Sequence, residues 1–233
     1  MPKSKMRKLA YIKGFGFEIE GGWKPERYRK IREEKLMKGD GSVRVASGHE
    51  PGEINSPVYK DFKMAWEFMR DYYPDTVNET CGFHVHISVK DSDYVRLMEK
   101  SFHEAFLKWS EGIEKKYNKI IPATFKSRKA GENKYCRTLF IPEQQARGTG
   151  DRYTQLNFCY TTHKTLENRM LPGCPKAETA FFLMTQYLLM VENFLKKTPN
   201  KMNAITVEIK EPEIGEEKKN KIKDEIGEII LCA

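Results

Sequence analysis

The sequence predicts an α+β fold, a largely antiparallel sheet covered by helices, on three observations. Short runs in which apolar and polar residues alternate recur along the chain. Two of them, 152–160 and 163–171, are joined by a short turn and read as a hairpin. Amphipathic stretches of helical period are interspersed between the strands, the order expected of α+β rather than of a parallel sheet. No GxGxxG follows the first strand, and no P-loop sequence is present, so neither nucleotide fold is supported.

The elements follow in order. Residues 10–20 alternate after a glycine-rich entry and predict a strand. The charged stretch 24–38, with Pro25 near its start, predicts a helix. "GDGS" at 39–42 is a turn into "VRVA", a short strand, and "GEINSP" at 52–57 is an extended piece stopped by Pro57. Residues 58–73 carry Phe62, Ala65, Trp66, Met69 and Tyr73 at helical spacing. Residues 82–89 alternate cleanly as a strand. Residues 91–118 predict one long helix capped by Asp91 or Ser92. The basic stretch 119–151 reads as irregular, and a loop that long in a domain is functional or mobile. Residues 176–197 form the most apolar helix, its Met and aromatic stripe read as core. A last strand at 203–210 and a charged tail, read as a solvated face or surface helix, complete the pattern. The expected division is one catalytic domain over 1–210 and a tail over 211–233.

Composition narrows the classes. The chain has 233 residues, 39% hydrophobic and 12% aromatic, enough for a buried core, with a net charge of +8. That charge suits nucleic acid or a phosphate-rich small substrate, and the scattered lysines favour the second or a merely soluble surface. The basic start is followed by no apolar run, no stretch is long enough to span a membrane, and five dispersed cysteines lack CxxC spacing. These features predict a reduced, cytoplasmic protein without a membrane partner.

The chemistry is carried by pairs. Side chains at i and i+2 on a strand share a face, so Glu18 and Glu20, His84 and His86, and Glu167 and Arg169 are same-face pairs, with Glu53 in "GEINSP". Each pair alone reads as a solvated face, a structural histidine or a surface ion pair. Gathered on one sheet, four carboxylates without compensating charge would repel one another, so they call for cations. Carboxylates with one or two imidazoles suit Mg²⁺ or Mn²⁺, and the arginines Arg128, Arg137, Arg147, Arg152 and Arg169 suit phosphate oxygens. That combination describes a nucleoside triphosphate site without a P-loop.

"FGFEIE", "GDGS", "GEINSP", "CGFHVHIS", "RYTQLN" and "TLENRMLPG", in that order over about residues 14–173, resemble the amidoligase family of carboxylate–amine ligases, related to glutamine synthetase and glutamate–cysteine ligase. The resemblance implies a sheet of the glutamine-synthetase catalytic type, curved around a site for ATP and two or three metal ions. It implies metal ligands at Glu18, Glu20, Glu53, His84 and Glu167. It places His86, and with it Ser88, near the nucleotide, Arg169 on the transferred phosphoryl group, and Arg152 and Asn157 beside it. Where the family reads closer to "EFR" this chain has Asn168, expected on the opposite face of the strand.

The activity so implied is ATP-dependent amide formation between a carboxylate and an amine, each on a small molecule or a peptide, through an acyl phosphate. His49, Glu50 and Glu143 are candidate bases for the amine, and Cys81 and Cys136 candidate nucleophiles, with packing the preferred role for Cys81. Three other readings remain open: a metal-dependent hydrolase or nuclease, a nucleic-acid module using the basic stretch 125–137, and an inactive structural descendant. Four glutamates on the sheet argue against the nucleic-acid module, and the filled acidic positions against the inactive descendant. The sequence does not settle the oligomeric state.

Overall fold

The computed structural model describes residues 9–197 of the 233. The expected strand at 203–210 and the charged tail lie outside these residues. The first half of the chain runs β1 (Gly14–Trp23), α1 (Pro25–Glu33), β2 (Met37–Lys38), β3 (Glu50–Asn55), α2 (Phe62–Tyr72) and β4 (Phe83–Ser88). The second half runs α3 (Asp91–Leu97), α4 (Lys100–Tyr117), α5 (Thr124–Ala130), α6 (Pro142–Ala146), β5 (Leu156–Cys159), α7 (Tyr160–His163), β6 (Thr165–Asn168) and α8 (Ala177–Lys197). The six strands form one open sheet in the order β2-β3-β1-β4-β6-β5, antiparallel at every pairing. The mixed, antiparallel architecture is the one the alternating runs predict.

Alternation sorts the two faces. Phe15, Phe17 and Ile19 of β1, Phe83, Val85 and Ile87 of β4, Leu156 and Phe158 of β5 and Leu166 of β6 are buried in one core. Helices α2, α4 and α8 cover that face, contributing Ala65 and Met69, Phe102 and Phe106, and Leu183, Met184, Tyr187, Leu188 and Val191. Helix α2 is started by Asp61, whose carboxylate accepts the N–H of Lys63 and Met64 at 2.7 and 3.1 Å. A smaller cluster of Trp23, Ile31, Met37 and Ile54 packs α1 onto the β2 edge. The other face of the sheet carries the polar pairs.

Several local expectations fail for identifiable reasons. The helix expected over 24–38 stops at Glu33 because Lys35 takes a left-handed φ of 61°, and Met37–Lys38 become the edge strand instead. "VRVA" is not a strand. Asp40 turns the chain by accepting the Ser42 N–H at 2.7 Å, and the side chains of Asn78 and Thr80 hold the backbone of Arg44 where a ladder partner would have been. The helix expected over 91–118 is two, because Glu99 is extended and its carbonyl accepts the N–H of Phe102, starting α4. No glycine or proline marks that break, so the apolar period reads straight through it. Neither Asp91 nor Ser92 caps α3. Lys90 occupies the cap position without a side-chain bond, and Asp91 and Asp93 lie in the first turn, where their charge favours the helix dipole. The stretch 119–151 contains α5, ended by Gly131 at φ +75°, and α6, opened by Pro142. Each is under two turns long, too short for a period to show. The β5–β6 turn holds the helical turn α7, closed by Lys164 in the left-handed region.

The chain entry is tied to α8 by one carboxylate: Glu192 accepts the N–H of Ala10, Tyr11 and Ile12 at 3.0, 2.8 and 2.8 Å. Replacing Glu192 with Ala leaves three donors to find other partners. It is expected to lower unfolding free energy by about 2 kcal/mol in urea titration, with faster amide exchange at residues 10–12.

Candidate active site

Strand register assembles the site. Glu18 lies opposite Asn55 on one neighbour and His84 on the other, Glu20 opposite Glu53, and His86 opposite Glu167, which faces Asn157. Directly opposed residues of antiparallel strands point the same way, so every one of these side chains shares the face away from the helices. Asn168 pairs with Val85 and Leu156 and is fully buried on the core face, so the departure from the family's phrase does not enter the site. Its Oδ1 accepts the Met170 N–H at 2.9 Å.

The cluster is tight. His84 Nδ1 lies 3.0 Å from Glu18 Oε2 and 3.5 Å from Glu167 Oε1, and its Nε2 lies 3.7 Å from Glu20 Oε1. His86 Nε2 lies 3.2 Å from Glu18 Oε1, and its Nδ1 lies 3.2 Å from the Thr165 hydroxyl. Glu167 is paired with Arg169 and accepts from Asn157 Nδ2 at 2.7 Å. Glu20 accepts the Gly82 N–H. A Cβ at position 82 would sit 2.5 Å from His84 Nε2, which is why a glycine opens "GFHVHIS".

Charge compensation is uneven. Burial works to raise the carboxyl pKa of Glu18, but hydrogen bonds from His84 and His86 outweigh it and hold the group well below the usual carboxylate range. Burial likewise opposes ionisation of Glu167, and Arg169 with the two imidazoles reverses it. His86 goes the other way: burial disfavours its proton, and Glu18 and Glu167 restore it, leaving its pKa raised. At Glu53 burial is not overcome, although His84 and Asn55 favour the charged form. Burial and the charges of Glu18 and Glu20 push it up to about 7.

Two groups of donors stand close enough to hold an ion, with their ligand atoms within 4.8 Å of one another: Glu18, His86 and Glu167, and Glu20, Asp40 and Glu53. The resemblance gives His84 to the metals and His86 to the nucleotide, whereas the compact donor group contains His86. Neither group includes a thiolate, so the donor chemistry fits oxygen-preferring divalent ions, and the strained charge of Glu53 is what such an ion would relieve.

Three cavities meet at Glu18. One of about 200 Å³ is lined by Glu20, Asp40, Glu53 and His84 together with Arg128, Arg152 and Arg169. The second and third, about 360 and 320 Å³, both include His86 and His163, with Ser88 in the second and Arg152, Asn157, Cys159 and Arg169 in the third. The site residues read from the sequence thus line three cavities that share Glu18. Among the candidate bases, His49, Glu50 and Glu143 line none of these cavities. Cys81 and Cys136 are buried free thiols, Cys136 pushed up to about 12 by burial, in keeping with packing roles. In the basic stretch 125–137 Arg128 points inward, Lys129 pairs with Glu114 and Arg137 with Asp151, while Lys126 and Lys134 are exposed.

Asp40 and His163 also line these cavities. Asp40 was legible only as a turn residue in "GDGS", and His163 belongs to a connection whose path no local pattern fixes.

Replacing Glu53 with Gln removes the least compensated carboxylate. The metal-free protein is expected to gain about 1 kcal/mol in thermal or urea unfolding, while Mn²⁺ affinity read by calorimetry falls about tenfold or more. Compared with family models, with characterised proteins and with solved structures, the chain matches none.

Proposed function

We propose that the chain is an ATP-dependent carboxylate–amine ligase built on a sheet of the glutamine-synthetase type. The observation that carries the reading is a set of cavities that share Glu18 and are lined between them by two thiolate-free donor groups and three guanidinium groups, those of Arg128, Arg152 and Arg169. Sequence motifs for a P-loop or a dinucleotide fold are lacking, so triphosphate binding falls to this cleft.

In the reaction a substrate carboxylate oxygen attacks the γ-phosphorus of ATP, and ADP leaves. An amine nitrogen then attacks the acyl carbon of the resulting acyl phosphate, phosphate departs with the C–O bond, and the amine gives up a proton. Divalent ions held by Glu18, Glu20, Glu53, Glu167 and the histidines would neutralise phosphate charge when bound. Arg169, anchored by Glu167, would stabilise the transferred group, and Arg152, at the rim of two cavities, would meet the same oxygens. His86 and Ser88 line the roomier cavity, which also has Gly14, Gly16 and Val58 in its wall and is of a size that suits a nucleoside. Asn157 holds Glu167 in place from β5. Glu20, His84, Asn157, Glu167 and Arg169 are buried, which would limit the access of water to the reacting atoms.

Calorimetry is expected to show ATP binding that requires Mg²⁺ and is abolished by Glu18→Ala and by Glu167→Ala in chains that remain folded by circular dichroism. Amine-dependent ADP release from carboxylate mixtures then identifies the substrates. Metal-dependent cleavage of phosphodiesters without any affinity for ATP would overturn the ligase reading in favour of a hydrolase.

A further inference from the structure

Arg128 is only 2% exposed, yet it forms no ion pair among the described residues. Its Nη1 donates to the Arg169 carbonyl at 3.0 Å and its Nη2 to the Cys81 carbonyl at 3.1 Å. Its buried Nε has no hydrogen-bond partner. Arg169, the neighbouring cation, differs: it is neutralised by Glu167. A guanidinium buried against neutral acceptors alone is costly, and two carbonyls would be satisfied as well by a neutral donor. The charge is explained if an anion belongs beside it.

The cavity lined by Arg128 sets the size of that anion. At about 200 Å³ it takes a carboxylate or phosphoryl group with a few attached atoms, and not a nucleoside. Its lining also holds Glu20, whose charge favours the guanidinium without forming an ion pair with it, together with Asp40 and Glu53, and these carboxylates repel an anion unless cations intervene. It opens past Ser42, Thr80 and Tyr135, which it shares with a neighbouring pocket of about 320 Å³ containing Arg44 and Lys134. The cavities large enough for a nucleoside are the separate ones around His86.

We propose that Arg128 receives the reacting carboxylate of the acyl substrate, which enters past Ser42 and Tyr135 while the nucleotide occupies the cavities around His86. The identity of the anion as an acyl substrate rests on the ligase reading. The neighbouring pocket holds two cations, Arg44 and Lys134, against one carboxylate, Glu79, a balance that favours substrates whose remaining portion carries a second anionic group.

The test titrates the full chain with succinate and, separately, with inorganic phosphate, in the presence of Mg²⁺ and without nucleotide. Heat and melting temperature are the readouts. Succinate is expected to bind saturably and to raise the melting temperature. Arg128→Met is expected to weaken it about tenfold or more, the scale of one lost charge-assisted contact. Because that variant leaves two carbonyls unpaired, Ser42→Trp, which crowds the mouth and leaves Arg128 intact, is measured alongside, and it decides the matter if Arg128→Met does not fold. It too is expected to weaken succinate. Undiminished succinate binding in either folded variant overturns the proposal, as does a native chain that takes up phosphate alone or neither probe. Nucleotide is absent throughout, so failed ATP binding would sink the ligase reading while leaving the anion subsite standing, and failed succinate binding the reverse.

Discussion

The site depends on strand register before it depends on any single side chain. Three pairings, Glu20 with Glu53, Glu18 with His84 and His86 with Glu167, bring ionisable groups from four strands onto one surface. A slip of one residue in any of them would send its polar set into the helix-covered core and its phenylalanines into the cleft. The core therefore protects the site. Phe15, Phe17 and Ile19 alternate with Gly16 and Glu18 along one strand, and burying the first set fixes the direction of the second.

The cluster so formed does not stand in balance. Glu167 is held by Arg169 and Asn157, Glu18 lies between two imidazoles, and Glu20 has the Gly82 N–H. Glu53, on the strand nearest the β2 edge, has the like charges of Glu18 and Glu20 and little to offset them. Such crowding destabilises the folded chain, and structures tolerate it where a ligand recovers the cost. Asp40 adds a further carboxylate to the same side. Its presence there follows from a loop that Asn78 and Thr80 hold by its backbone, so the position of that carboxylate is secured from the far end of the turn before β4.

What was legible in the sequence was what repeats with a short period. The two-residue alternation of β1 and β4 gave the faces and therefore four of the site's members, Glu18, Glu20, His84 and His86, and the apolar periods of α2 and α8 gave the cover. Groups placed by a non-periodic path were illegible. Asp40 arrives through a turn whose anchors lie nearly forty residues on, in Asn78 and Thr80. Arg128 lies on a seven-residue helix with a single buried phenylalanine, so its inward aim leaves no trace in the local pattern. His163 reaches the cleft because Lys164 adopts a left-handed turn that a lysine rarely takes. In each case a tertiary contact, not a local preference, decides where the side chain points.

The two kinds of uncompensated charge give the cleft a polarity. Carboxylates crowd on β1, β3 and the turn at Asp40, where they call for cations. Guanidinium groups come from α5 and from the ends of the strands at Arg152 and Arg169, where they call for anions. Were this only a structural network, the opposite charges would be expected to pair off, as Arg169 does with Glu167 and Arg96 with Asp93. Arg128 and Glu53 line the same small cavity and form no pair. Arg128 is prevented by the Arg169 and Cys81 carbonyls that fix its fork, and Glu53 by its place in the register. The fold thus holds apart two charges that would otherwise cancel. That separation is intelligible if ligands of both signs, metal cations and an oxyanion, are meant to come between them.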